Sequence, residues 1–242
     1  SINKIYKYMY TLKTTSKNNN SLTFSFETRG EKPIANQYSD DIPEYKLIND
    51  FPGSYNSLPM PLPTVTISNN PSPGRLLLCN LNFGTGYTSY AMTVNNDASI
   101  FHTIDLGNAA DYTRQNNGTL TYYRNNKYFS VDSLYNVTDS FYCGNGYTTD
   151  AHDLRLLNNG HALVMSYDSL IIDMSQLVPG GYTNAKVIGF IVQEIDENKN
   201  VVFQWRSWDY FDILDAVDVI FTGTTVDPVH GNAMELDNDG NI

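Results

Sequence analysis

Two kinds of turn recur along this chain, and their spacing limits what it can fold into. Asn-Gly or Asp-Gly pairs place glycine at 118, 160 and 240, at intervals of 42 and 80 residues. A second design, Val-Asn-Asn-Asp-Ala-Ser-Ile, Val-Asp-Ser-Leu-Tyr-Asn-Val and Ile-Asp-Glu-Asn-Lys-Asn-Val, starts at 94, 131 and 195, at intervals of 37 and 64. Between the turns lie short runs rich in aromatic and β-branched residues, the composition of strands. Asn, Asp and Gly bound them because they tolerate left-handed backbone or bond their own main chain. Four short strands in a unit of about 40 residues are the signature of a β-propeller blade. The longer intervals fit one such unit plus insertions at 168–185 and 209–228. No strand run is followed by an amphipathic helix, which argues against α/β architectures. A β-sandwich is the competing all-β arrangement.

The sequence predicts two parts. In 1–62, residues 5–12 alternate with Tyr6, Tyr8 and Tyr10 on one face, a polar turn covers 16–20, and Leu22, Phe24 and Phe26 alternate again. That is a hairpin. Residues 30–62 carry no period and are rich in Pro, Asn, Asp, Ser and Gly, so 1–62 reads as a small N-terminal β module plus linker. Residues 63–242 read as propeller blades, with strands expected at 64–68, 75–83, 89–94 and 98–106. A second set is expected at 111–115, 119–124, 127–131 and 137–143, and a third at 152–157, 161–167, 187–195 and 201–208. A further set opens with a strand at 229–236. This is about four blades' worth, the last interrupted at Ile242. An open propeller leaves unpaired edges, so the expectation is a longer chain, or completion by another copy through those edges.

Composition removes some classes of function. The net charge of −11 and the absence of a Lys/Arg cluster exclude a nucleic-acid binder. No apolar run approaches the ~18 residues of a membrane span. No signal peptide is visible at Ser1, as would also hold for a processed secreted chain. Cys79 and Cys143 lack metal-type or redox-type spacing and sit in strand-like runs. Two buried thiols are the expected state, with one disulfide as the alternative. No P-loop, dinucleotide fingerprint or serine nucleophile elbow is present, and no cofactor is expected.

Of the four histidines, His102 lies mid-strand and His161 follows a turn, both structural positions. His152 and His230 are different. Each opens the first strand of its unit, the strand that lines the channel of a propeller, so the two should converge near the axis. Imidazole there can serve as acid, base, nucleophile, anion donor or metal ligand. Asp153 and Asp227 lie close enough in sequence to orient an imidazole. Asn232, two residues after His230, should share its face. Metal ligation by His152, His230 and a carboxylate is the runner-up chemistry, although no short metal motif is present. The run Trp205-Arg-Ser-Trp-Asp-Tyr-Phe is the densest aromatic patch. It packs between blades or forms, with Trp205 and Arg206, the wall of an aromatic-substrate pocket.

At these residues the chain resembles the bacterial arylsulfotransferase family. Three separated motifs carry the resemblance in order: Thr149-Asp-Ala-His-Asp-Leu-Arg-Leu-Leu-Asn-Asn-Gly-His-Ala-Leu; Gly189-Phe-Ile-Val-Gln-Glu-Ile-Asp-Glu-Asn-Lys-Asn-Val-Val-Phe-Gln-Trp; and Asp227-Pro-Val-His-Gly-Asn-Ala-Met-Glu-Leu-Asp-Asn-Asp-Gly-Asn-Ile. It implies a six-bladed propeller in a secreted or periplasmic protein. It also implies sulfuryl transfer from a phenolic sulfate ester to a phenol through a histidine, without phosphoadenosine phosphosulfate. By motif, His152 looks like the family's first channel histidine, and His230 with Asn232 like its His-x-Asn pair on the sulfate oxygens. The family's arginine and its sulfated histidine come after that pair, beyond Ile242. The alternative expectation is a non-catalytic secreted propeller used in adhesion or assembly.

Overall fold

The computed structural model describes residues 7–10, 24–27, 60, 62–80, 88–107 and 109–242. The chain divides into two compact units, Ser1–Pro52 and Gly53–Ile242; the sequence places its boundary ten residues later. In the first unit β1 (Lys7–Tyr10) pairs antiparallel with β2 (Phe24–Glu27), with Tyr8 opposite Phe26. The rest of the expected 1–62 module, apart from residue 60, lies outside the described residues.

The second unit is built from antiparallel meanders. The first sheet holds β3 (Arg75–Cys79), β4 (Ser89–Asn95) and β5 (Ile100–Gly107). The next holds β6 (Ala109–Arg114), β7 (Leu120–Arg124), β8 (Lys127–Val131) and β9 (Val137–Phe141). The last holds β10 (Thr149–Leu156), β11 (Ala162–Ile172), β12 (Ala185–Ile195) and β13 (Val201–Arg206). A short β14 (Thr225–Val226) adds to β12 in parallel. The described residues contain no α-helix, only three short 3-10 turns, and no sheet closes on itself.

The two turn designs of the sequence share one backbone geometry. Six turns start at Asn95, Gln115, Asp132, Leu157, Asp196 and Asp237. In each, the first residue's N–H donates to the fifth residue's carbonyl, and the fourth residue's N–H donates back to the first carbonyl. The fourth residue is left-handed every time: Ala98, Gly118, Tyr135, Gly160, Lys199 and Gly240, with φ between 63° and 87°. This is the bulged hairpin turn that glycine or asparagine favours. Where the fourth residue is not glycine, side chains support the strained backbone. Asp132 Oδ1 accepts from the N–H groups of Leu134 and Asn136, and Asp196 Oδ1 does the same for Asn198 and Asn200.

Three expectations are corrected. Residues 64–68 form no strand. The stretch 168–185 is not all insertion: the β11–β12 ladder runs unbroken from Ala162 opposite Ile195 to Ile172 opposite Ala185. A 3-10 turn at Met174–Gln176 sits at its tip, capped by the Asp173 carboxylate on the Ser175 N–H. Residues 229–236 do not form a strand, because no described backbone runs alongside them to supply a ladder. Residues 81–83, expected at the end of the 75–83 strand, lie outside the described residues.

The sheets stack face to face, and side-chain alternation feeds two cores from one strand. Ala91, Ile104 and Leu106 of the first sheet pack on Tyr112, Tyr122 and Val131 of the second. The other face of the second sheet, with Tyr128 and Phe141, packs on Leu154, Ala162, Val164 and Ile195 of the third. The far face of the third sheet, with Leu163, Met165, Phe190 and Val192, is covered by Met234 and Val229. So Ala162-Leu-Val-Met165 is apolar without interruption and all four residues are buried, as a strand covered on both faces requires.

Polar pins hold the stack in register. Gln193 is fully buried on β12. Its Oε1 accepts from the Gly144 N–H, and its Nε2 donates to the Gly144 carbonyl and to Gln204. Gly144 lies just past β9, so this side chain ties the second sheet to the third. Gln193→Leu keeps the volume but orphans the Gly144 N–H, while the Gly144 carbonyl keeps the Tyr147 N–H at 3.1 Å. It should lower the stability of the chain by about 1–3 kcal/mol, the cost of one unpaired buried group. Urea denaturation measures this, and an unchanged midpoint would show that water replaces the pin.

Candidate functional site

The register of β10 breaks where the first histidine sits. Thr149 pairs with Ser166 and Leu154 with Val164, so five steps on β10 face two on β11. A bulge of this kind re-aims side chains and frees them from the ladder. Asp150 and His152 meet across it: His152 Nδ1 lies 2.5 Å from Asp150 Oδ1, which also accepts the His152 N–H at 3.0 Å.

The second histidine lies on the segment after β14. Without a ladder, side chains from the third sheet meet this segment's backbone groups. The Tyr167 hydroxyl donates to the Gly231 carbonyl at 2.6 Å. Asp153 Oδ2 accepts the Met234 N–H at 2.7 Å, and Arg155 Nε donates to the Met234 carbonyl at 2.6 Å. Met234 is thereby seated in the core. His230 Nδ1 lies 2.6 Å from Asp227 Oδ2.

These two elements bring the imidazoles together edge to face, with ring centroids 5.9 Å apart and planes at 81°. Both rings are about half exposed, and their carboxylates are more sheltered. Each Nδ1 faces a carboxylate, so each Nε2 is the free nitrogen. A neutral ring presents a lone pair there, and a doubly protonated ring presents an N–H. Tyr167 flanks the pair, its ring 5.7 Å from that of His230. Burial, and then the charges of Asp150 and Asp227, push its hydroxyl up to about 12, so it stays a neutral donor.

The sequence led us to expect the histidines at equivalent places in their units, and they do not occupy them. Counted back from the turn, His152 and Asn232 each stand five residues before it (Leu157 and Asp237), while Asp150 and His230 each stand seven before it. Asn232 is exposed and makes no hydrogen bond with the described residues. Its expected shared face with His230 presumed a regular strand, which is absent. Asp153 does not orient an imidazole. It is the next residue after His152, points inward, and bonds to Met234 and Arg155; Asp150 takes the role expected of it. Asp227 does lie on an imidazole.

Trp205 and Arg206 are not joined to the pair by any hydrogen bond or ion pair. One face of Trp205 is covered by Tyr210, parallel at 5.8 Å, and Phe190 and Phe211 meet it edge-on. Arg206 is held by Asp168 at 2.8 Å, with Asp209 at 3.7 Å. Among the described residues no lysine or arginine pairs with Asp150 or Asp227, and no group of three or more His, Cys, Asp or Glu converges to hold a metal ion. Both cysteines are free thiols, raised by burial to about 11 for Cys79 and about 12 for Cys143. Sequence reasoning missed Asp150, Tyr167 and Gly231. The signal for Asp150 was its i,i+2 spacing to His152, readable only once a bulge puts both on one side.

Asp111, on the bulge of β6, is a further perturbed group near His152. It is left-handed, with φ 45°. It faces Tyr128 in the interior, although Asp111 Oδ2 and the Tyr128 hydroxyl do not meet in full hydrogen-bond geometry. Burial pushes its carboxyl up to about 6; the nearby Tyr128 hydroxyl lowers it somewhat, and the Asp153 charge adds to the rise. A folded-state pKa raised above the unfolded value makes the folded chain hold the proton more tightly. This group's contribution is therefore full below about pH 4 and is lost as the pH rises through 6. The loss is at most about 3 kcal/mol at ~1.4 kcal/mol per unit. Asparagine tolerates the left-handed backbone, so Asp111→Asn should keep its stability between pH 4 and 7 while the parent chain loses some. Urea midpoints across that range that run parallel for the two proteins would contradict this assignment.

No curated protein matches the chain. A solved structure that resembles it is the 1.35 Å crystal structure of a protein of unknown function from Bacteroides caccae, at 14% identity and a TM-score of 0.40. The match covers 65% of this chain and 52% of that one, so the chain spans about half the length of that protein. The arylsulfotransferase (ASST) family profile matches residues 66–242, which include every described sheet of the second unit and both histidines. The chain belongs to the arylsulfotransferase family.

Proposed function

We propose that this chain forms part of a β-propeller arylsulfotransferase and that His152 and His230 hold the transferred sulfuryl group. The observation that carries the reading is the imidazole pair, 5.9 Å apart, each ring with Nδ1 on its own carboxylate and Nε2 free. The stacked four-stranded meanders, repeated with one turn geometry, are then successive blades, and the bulged first strand of each lies toward the channel. With both rings doubly protonated, two Nε2–H groups donate to sulfate oxygens, and the carboxylates behind them offset the added charge. The Asn232 amide, free of other bonds, adds a donor from the same segment.

The reaction follows from charge. The sulfur–oxygen bond of a phenyl sulfate breaks as a histidine nitrogen attacks sulfur, and the phenolate leaves with a proton from a neighbouring imidazolium. A phenol, giving its proton to that same imidazole now neutral, then attacks sulfur, and the nitrogen–sulfur bond breaks to regenerate the histidine. By family resemblance the relay histidine follows the His-x-Asn motif, and His152 and His230 serve the oxygens. Donors aimed at the moving group contribute most to such a transfer, as in phosphoryl transfer. The same reading places the protein outside the cytoplasm, secreted or periplasmic.

In protein carrying this chain, His230→Ala and His152→Ala should each lower transfer from a phenyl sulfate to a phenol by at least about 100-fold. Undiminished transfer in either variant rules out its assigned role. The commitment of Arg155 and Arg206 to other partners favours a second reading, a sulfate-ester-binding or adhesive propeller without turnover. It predicts binding of phenyl sulfate with no release of phenol.

A further inference from the structure

We infer that Tyr167 is the positioning residue for His230, acting through the Gly231 peptide. The inference rests on the proposed role of His230 at the sulfuryl group. His230 sits on a segment with no ladder, so ordinary strand pairing does not fix its backbone. Two contacts replace the ladder at the next residue. The Tyr167 hydroxyl holds the Gly231 carbonyl at 2.6 Å. On its other side Gly231 lies flat on Phe190: a Cβ there would come within 2.2 Å of the Phe190 ring. Only glycine fits that gap, which explains the residue between His230 and Asn232. The Tyr167 ring also lies tilted against both neighbours, 5.8 Å from Phe190 and 5.7 Å from the His230 ring.

Tyr167 thus meets His230 twice, through the ring and through the following peptide. Asp227 fixes Nδ1, but from a residue three positions earlier on the same segment. That contact sets the ring's rotation without anchoring the segment. Asp153 and Arg155 anchor it at Met234, four residues further on. Among the described residues, Tyr167 is the one side chain of the third sheet hydrogen-bonded to the segment beside His230. Its hydroxyl is shielded and neutral, so it cannot take the proton of the reaction. Its part is to hold His230 Nε2 in place against its partner on His152.

The test is Tyr167→Phe, which keeps the ring and removes one neutral hydrogen bond. Long-range proton–nitrogen NMR reads the tautomer and line width of each imidazole, with His102 and His161 as internal references. The expected result is a His230 ring that broadens or changes tautomer balance while His102 and His161 stay as they were. In transfer from a phenyl sulfate to a phenol, kcat should fall about tenfold or more with KM changed less than twofold. An unchanged His230 ring overturns the inference, as does a kcat equal to that of the parent. Gly231→Ala, which pushes the same peptide off Phe190, should perturb the same ring, and a silent His230 in both variants is decisive against it. If the parent chain transfers no sulfuryl group, the proposed function fails, and the ring measurement alone still decides whether Tyr167 positions His230.

Discussion

Every sheet in the second unit that lies between two others must be covered on both faces. Tyr122 and Tyr123 are neighbours in β7, yet one belongs to the core with the first sheet and the other to the core with the third. Leu163 and Val164 divide in the same way between the second sheet's side and the 229–234 segment. A two-faced sheet cannot be stable alone, because its second face would expose a row of large apolar side chains at ~25 cal/mol per Å². The stack therefore propagates: each meander needs the next, and the third sheet is completed only where Val229 and Met234 reach its far face.

The candidate site is a product of that last covering. The segment that delivers His230 is seated by Met234 in the core of the third sheet and tied by Asp153, Arg155 and Tyr167. Packing that shields a hydrophobic face thus also sets two imidazoles edge to face. The bulges contribute the other half. In β6 and β10 the ladder breaks near Asp111 and His152, and polar groups that a regular strand would send into a core or out to solvent gather in one place. Backbone irregularity at bulges is a common device for aiming functional side chains.

Much of the fold could be read from the sequence because turn chemistry is local. Asn117-Gly118 and Asn159-Gly160 mark turns between the first two strands of a sheet, Asp239-Gly240 makes the same turn without strands beside it, and the segments at 94, 131 and 195 mark turns into the last strand of the hairpin series in each sheet. What could not be read was that both kinds are one turn, since Ala98, Tyr135 and Lys199 take the left-handed place that glycine fills in the other kind. The length of the β11–β12 ladder was hidden because Asp168, Ser169 and the exposed Ile171 break the apolar pattern while the backbone pairing continues. The strand expected at 229–236 failed for a complementary reason: its alternation is that of a strand, but pairing depends on a neighbour the pattern does not contain.

The sequence by itself determined the short antiparallel strands, the turn positions and the two histidines worth watching, because these follow from local backbone preference and side-chain period. Only the tertiary structure decided which carboxylate serves which imidazole. Asp153 adjoins His152 in sequence, yet the bulge turns it inward to Met234 and leaves Asp150 on the ring. Tyr167 and Gly231, 64 residues apart, became part of the same site through the folding of the last segment onto the third sheet. Such pairings depend on register and on what covers each face, and neither is a property of any stretch of sequence taken alone.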